Sequence, residues 1–295
     1  MRYHIRHETL YTYSTEVLHS HQLLHLVPRP APYQECAEHA IEVSVAPHRR
    51  RDAVDAFGNP VTRIELDHPH RALAIVADMD IDVHPRPQPL ATDSLPWERV
   101  CAALAYHGSS PGRETLEACR FRCQSPYIPL KRMYVDYAHE CFTHERSILE
   151  AAAALMTKLH EDLEYAPGTT TVQTPLEEVL VKRRGVCQDF AQLMIACLRS
   201  RGLAARYVSG YVRRVGQMAD GASHAWVAVF APPFGWVELD PTNNVRVGTD
   251  HVAVAWGRDF GDVSPLRGVI LGGGSHELCV RVRVESASPA ARAQA

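Results

Sequence analysis

The chain has 295 residues, 46% of them hydrophobic and 22% charged, and its 31 Lys plus Arg against 34 Asp plus Glu leave a formal charge of −3. That balance excludes a chain disordered throughout and argues against a nucleic-acid-binding protein, which carries a basic face. The length suggests two domains, and no apolar run approaches the roughly 18–20 residues that a membrane helix needs.

The first residues, Met1 to Glu8, have no apolar core of the secretory kind, so the expected compartment is the cytoplasm. The eight cysteines are then expected to be reduced thiols. Tyr3, Ile5, His7, Thr9 and Tyr11 alternate with polar neighbours, the period of a half-buried strand. Further strand-like runs lie at His39–Val45, Val61–Leu66 and Leu73–Val83, separated by turn punctuation at Pro28–Pro32, Pro47 and Phe57-Gly58-Asn59-Pro60. Residues 1–88 are therefore expected to form an N-terminal β-rich, sandwich-like domain. Arg49-Arg50-Arg51 reads as a solvated turn. His19, His21 and His25 have no carboxylate or Cys at usable spacing to complete a metal site.

His84-Pro85-Arg86-Pro87-Gln88-Pro89 reads as a stiff linker. Beyond it, residues 89–275 are expected to form the second domain, where Asp136–Phe142 and Ser147–Leu163 carry apolar residues at helical spacing. Ser147 and Glu150 have the form of a capping box for the latter. Cys119, Cys123, His139, Cys141 and His144 lack the Gly-containing knuckles of a zinc site and read as ordinary side chains. Thr174-Pro175-Leu176-Glu177 is a second capping box, for a helix expected to close at Lys182–Gly185 with Gly185 in the left-handed cap. The next helix is expected from Val186 to Arg201, with Gly202 as its stop. Strands follow at Ala204–Val212, Ser223–Phe230 and Gly235–Asp240, the last two as a hairpin with Phe230 opposite Trp236. The end, 276–295, reads as an alternating strand, Leu278–Glu285, free to pair with the N-terminal domain, and a frayed tail.

Cys187 falls in the first turn of a helix, where the dipole and the nearby Lys182, Arg183 and Arg184 favour thiolate, the nucleophilic form. The hairpin register puts His224 and Asp240 on one face as diagonal neighbours, within side-chain reach. A Cys, a His and a carboxylate so disposed suit acyl transfer. Sulfur attacks, imidazole takes and returns the proton, and the carboxylate fixes the imidazole tautomer. The backbone N–H of Cys187 is a natural oxyanion donor. Tyr165, Gln173 and Trp226 are candidates for the second donor or for substrate contact.

Arg184-Gly-Val-Cys187-Gln-Asp-Phe-Ala191, Ala205-Arg-Tyr-Val-Ser-Gly-Tyr211, Ser223-His-Ala-Trp226 and Gly235-Trp-Val-Glu-Leu-Asp-Pro-Thr-Asn243 together resemble the transglutaminase-like superfamily of cysteine acyl-transfer enzymes. Ala255–Asp262, Pro265–Gly268, His7–Tyr13, Pro28-Arg29 and Asp55–Asn59 resemble its bacterial two-domain members more narrowly. The resemblance implies an α+β fold with a papain-like core, a nucleophile helix packed on an antiparallel sheet, beside a β-rich N-terminal domain. It also implies Cys187, His224 and Asp240 as the triad.

The expected activity is attack on a peptide or glutamine carboxamide to give a thioester, resolved by water in a protease or amidase or by an amine in a transglutaminase. Because water is the abundant acceptor, hydrolysis is favoured. The alternative is a catalytically silent protein-binding module on the same fold. The expected partner is a protein or peptide substrate, not nucleic acid or membrane. No metal or organic cofactor is expected, and no acidic loop has calcium-site periodicity. Asp189 could cap the helix start, contact substrate or face solvent, with a structural role favoured, and Arg258 with Asp259 reads equally as an ion pair holding a loop near the site or as a solvated surface pair.

Overall fold

The computed structural model describes residues 1–105, 112–213 and 223–286, so the expected C-terminal tail at 287–295 lies outside the described residues. The chain begins with β1 (Arg2–Leu24), β2 (Gln34–Val43), β3 (Arg49–Val54), β4 (Pro60–Leu66) and β5 (His70–Val83), paired in the order β2-β5-β1-β4-β3. At 23 residues, β1 far outruns the alternating stretch that marks its start. Its register breaks between Thr12 and Val17, so its first half pairs with β5 and its second half with β4. Tyr3, Ile5, Leu24, Ile64, Leu66, Leu73 and Ile75 fill one core from both halves.

Arg49-Arg50-Arg51 is not a turn but the start of β3, which among the described residues pairs only with β4. All three arginines are exposed. A charged edge strand keeps its free hydrogen-bonding side from recruiting another chain, so the charge run that looked like a loop is compatible with a strand.

Residues 84–90 carry no helix or strand. Then come α1 (Trp97–Leu104), α2 (Arg113–Cys119), α3 (Arg132–Tyr137) and α4 (Ile148–Asp162). The Ser147 hydroxyl accepts the Glu150 N–H at 3.4 Å, the first half of the expected capping box, but the Glu150 carboxylate meets that hydroxyl, at 2.6 Å, rather than the Ser147 backbone N–H. β6 (Glu164–Tyr165) and α5 (Leu176–Lys182) follow. Two expectations about α5 need correction. Thr174 does not cap it: its hydroxyl accepts from the Thr171 N–H within the preceding loop. The left-handed closing residue is Arg183, at φ 55°, because Gly185 is drawn into β7 (Arg184–Gly185), which pairs with β6.

α6 (Cys187–Ser200) is buried on every side from Asp189 to Arg199, as befits a helix at the centre of a core. It packs on the sheet β11-β10-β9-β8-β12, made of β8 (Ala205–Val212), β9 (His224–Phe230), β10 (Trp236–Asp240), β11 (Val245–Arg246) and β12 (His251–Gly257). Ala225, Val227 and Val229 of β9 share the core of α6. On the alternate positions, Val208, Trp226, Ala228 and Ala253 form a separate cluster.

After α7 (Phe260–Val263) come β13 (Leu266–Gly272) and β14 (His276–Ser286). They run back along the whole of β1, β13 beside Val17–Leu24 and β14 beside Tyr3–Tyr13. Between them Gly272, Gly273 and Gly274 all have positive φ, at 94°, 86° and 60°. These are backbone angles that side chains other than glycine resist, and they let the returning strand bend where β1 bends. Arg258 does not pair with its neighbour Asp259 but with Asp262, one turn on, at 2.8 Å, while Asp259 caps α7 through the Gly261 N–H.

Candidate active site

The site is assembled at one end of the second sheet, where α6 starts, β9 starts and β10 ends. Asp189 fixes the helix start. Its buried carboxylate accepts the Val186 N–H at 2.8 Å and the Thr170 hydroxyl at 2.7 Å. Burial raises its pKa, an effect these hydrogen bonds only partly offset. Cys187 is then the first helical residue, with its own N–H free of the intrahelical ladder. Its Sγ lies 4.0 Å from the carbonyl oxygen of Ser223, the residue before His224.

β9 and β10 pair with Trp236 opposite Phe230 and Leu239 opposite Val227. That register puts His224 and Asp240 on one face. His224 Nε2 meets Asp240 Oδ2 at 2.8 Å, with His224 5% exposed and Asp240 fully buried. The turn after β10 wraps its backbone around the same side chain: Asp240 Oδ1 accepts from the N–H groups of Thr242 (3.0 Å) and Asn243 (3.2 Å). The Asn243 side-chain amide donates to Oδ2 at 2.6 Å, and His251 Nε2 reaches the same oxygen at 3.0 Å.

The charges follow from these contacts. Burial pushes the Asp240 carboxyl up, but the hydrogen bonds from His224, His251 and Asn243 outweigh it and hold the group well below the usual carboxylate range. An ionised carboxylate can only accept, so His224 carries a proton on Nε2 and leaves Nδ1 for the Cys187 thiol. Burial lowers the His224 pKa, yet Asp240 and Cys187 together overcome it and push it up to about 9. A thiol, an imidazole and a carboxylate thus act on one another in sequence, a set able to move a proton from sulfur onto the ring.

The three further candidates are placed differently. Tyr165 is exposed on β6 and pairs with Gly185, two residues before Cys187. Gln173 is exposed in the loop before α5. Trp226 is fully buried, with its ring 6.1 Å from that of His224, and its indole N–H is committed to Glu238 at 2.7 Å.

Asn243 and His251 are the side chains that reading the sequence did not bring to Asp240. A Thr-Asn pair just after a strand-ending Asp is a turn signal that points to Asn243. Nothing local points to His251, which lies on a strand two places removed from β9. His224, Asp240 and His251 present ligand-type atoms within 4.8 Å of one another. Both ring Nε2 atoms point at one carboxylate oxygen, so hydrogen bonding accounts for the cluster. Cys119, Cys123, His139, Cys141 and His144 do not form such a group among the described residues.

Residues 135–241 match the transglutaminase-like superfamily, and residues 3–82 match the bacterial transglutaminase-like N-terminal region. An uncharacterized protein of Mycobacterium tuberculosis is 38% identical over 282 residues, 91% of this chain and 87% of that protein. A protein-glutamine gamma-glutamyltransferase of Pseudomonas aeruginosa is 28% identical over 128 residues, 40% of this chain and 19% of that protein. The crystal structure of a candidate cysteine protease from Cytophaga hutchinsonii aligns with a TM-score of 0.77 at 18% identity, over 98% of this chain and 91% of that one. At that identity the likeness is one of fold. It bears out the α+β class, with a papain-like core beside a β-rich N-terminal region.

Proposed function

This chain belongs to the transglutaminase-like superfamily, and we propose that it is a cysteine acyl-transfer enzyme with Cys187 as nucleophile, His224 as base and then acid, and Asp240 as the carboxylate that orients the ring. The reading is carried by one observation: Asp240 accepts from His224 Nε2 at 2.8 Å, which leaves Nδ1 as the ring nitrogen available to the thiol at the start of α6, whose interaction with the ring helps raise its pKa.

The Cys187 sulfur, its proton already held on the His224 ring as the raised pKa of that ring favours, attacks the carbonyl carbon of a peptide or glutamine carboxamide. The tetrahedral oxyanion is stabilised by the Cys187 backbone N–H, aided by the positive end of α6. His224 returns its proton to the leaving amine or ammonia, the C–N bond breaks, and a thioester remains on Cys187. In the second half, His224 takes a proton from water as its oxygen attacks the thioester. The acid is released and the thiol restored. A primary amine in place of water gives a new amide instead. Cys187 is half-buried and not sealed from solvent, so hydrolysis is the favoured outcome and the reading is a protease or amidase acting on protein or peptide substrates.

The test is incubation with a glutamine-containing peptide library, with and without a primary amine, followed by mass spectrometry. Cleavage or deamidation is expected, and its loss in Cys187→Ala. Turnover that persists in that variant contradicts the assignment.

A further inference from the structure

We infer that His251 is a positioning residue for the reaction, a second imidazole that holds the orienting carboxylate in place; this rests on the reading of Cys187, His224 and Asp240 as the triad. His251 opens β12, and in the sheet β8 and β9 stand between it and Asp240 on β10. The ring nonetheless reaches Asp240 Oδ2 at 3.0 Å, the oxygen that His224 takes at 2.8 Å.

The span is possible because of what lies between. Gly210 of β8 pairs with His224 on one side and with Ala253 on the other. A Cβ there would run into the Val252 carbonyl and would lie 2.6 Å from the Trp226 ring. With no side chain at 210, Trp226 fills the space and packs edge-on against His251, with ring centroids 5.3 Å apart. Gly210 and Trp226 together leave His251 a lane across the sheet.

A histidine serving only to fill a core normally satisfies both ring nitrogens. His251 is 4% exposed, yet its Nδ1 has no hydrogen-bond partner among the described residues. Because the carboxylate can only accept, the ring proton sits on Nε2. The residue therefore leaves one nitrogen unpaired and commits the other to an oxygen that already receives His224 and Asn243. Its contribution is directional. With donors on several sides, Oδ2 cannot swing away from His224, so the His224 ring keeps the tautomer that offers Nδ1 to sulfur.

The experiment compares His251→Leu, His251→Gln and His251→Asn in the full chain. It follows alkylation of Cys187 by iodoacetamide from pH 6 to pH 9.5, with the site read by peptide mass spectrometry and folding by circular dichroism. Leu removes the donor. Gln carries an amide nitrogen that can reach the place of Nε2, whereas that of Asn falls short. At pH 6 a cysteine reacts quickly only when nearby positive charge holds it as thiolate, and the His224 imidazolium is the part of that charge which His251 would position. Leu and Asn are expected to slow Cys187 at pH 6 by roughly tenfold or more, the scale of one hydrogen bond to a charged group. Gln should restore most of the rate, and the differences should fade toward pH 9.5, where a cysteine ionises unaided. Folded Leu or Asn variants that react as fast as wild type, or a folded Gln variant as slow as Asn, overturn the inference. If Leu does not fold, the Gln and Asn pair carries the test. If wild-type Cys187 at pH 6 reacts no faster than the exposed Cys123 and Cys279, the triad reading itself fails and takes this inference with it.

Discussion

Trp226 donates its indole N–H to Glu238 at 2.7 Å, across the two strands that carry His224 and Asp240. Glu238 in turn pairs with Arg86 of the proline-rich segment at 2.8 Å, both side chains largely buried. The tryptophan beneath the two histidines is thus tied through one carboxylate to the connection between the two β-rich parts of the chain.

Trp226→Phe keeps most of the ring but removes the donor, leaving Glu238 with Arg86 alone. Loss of a hydrogen bond to a buried charge costs about 1.5–3 kcal/mol. Urea unfolding should show a destabilisation of that order, and Trp226→Phe combined with Glu238→Leu should deepen it, because the largely buried Arg86 then loses its carboxylate.

The pH dependence of the site has a definite sign. His224 is pushed up to about 9 in the folded protein against an ordinary value of 6.5. Its contribution to stability is fully present below about pH 6.5 and is lost as pH rises through about 9. Asp240 is held below its ordinary range, so its contribution is present at neutral pH and is lost as pH falls through the acid range. Thermal unfolding from pH 6 to 10 should show a declining alkaline limb that flattens in His224→Asn. The rate of the acyl-transfer reaction should fall in the same alkaline window, as His224 loses the proton it must give to the leaving group.

His7 behaves in the opposite way. It is 1% exposed, between the Tyr211 hydroxyl at 2.9 Å and that of Thr9 at 3.1 Å. Burial lowers its pKa to about 4. Between pH 6.5 and 4 the unfolded chain takes up a proton that the folded one refuses, so stability falls as pH drops through that window. His7→Gln should remove this slope in urea titrations at pH 4 to 7. A slope unchanged in that variant contradicts the assignment to His7.

Gly210→Ala should be more damaging than a methyl group suggests. The added carbon meets backbone at Val252 and the ring of Trp226, neither of which can yield without moving β12 or the tryptophan. Overpacking of this kind costs about 1–3 kcal/mol. Because the displaced groups hold His251, reactivity at Cys187 should fall together with the unfolding midpoint.

The parts of the fold legible in the sequence are those whose signals are local. α6 lies between an extended Val186 and a left-handed Gly202, and its apolar stripe repeats at helical spacing. The Phe230–Trp236 register follows from a short connection between two apolar runs. What escaped depends on partners far along the chain. β1 continues to Leu24 because β13 and β4 pair with it there, although the run from Ser14 to Gln22 looks too polar for a strand. Arg49–Arg51 could be placed in β3 only by knowing that β3 is an edge. Arg258 prefers Asp262 to its neighbour because α7 brings that carboxylate round by one turn. His251 reaches Asp240 only through the strand order and a glycine in the intervening strand, neither of which a lone histidine announces.

The central claim is that Cys187 is an acyl acceptor activated by His224. Mixing the protein with p-nitrophenyl acetate isolates that half-reaction, whatever later resolves the thioester. The account predicts a burst of nitrophenolate stoichiometric with enzyme and an acetyl group mapped by mass spectrometry to Cys187, absent in Cys187→Ala and strongly slowed in His224→Ala. Acetylation spread equally over Cys123 and Cys279, or a burst unchanged in the His224 variant, would contradict it.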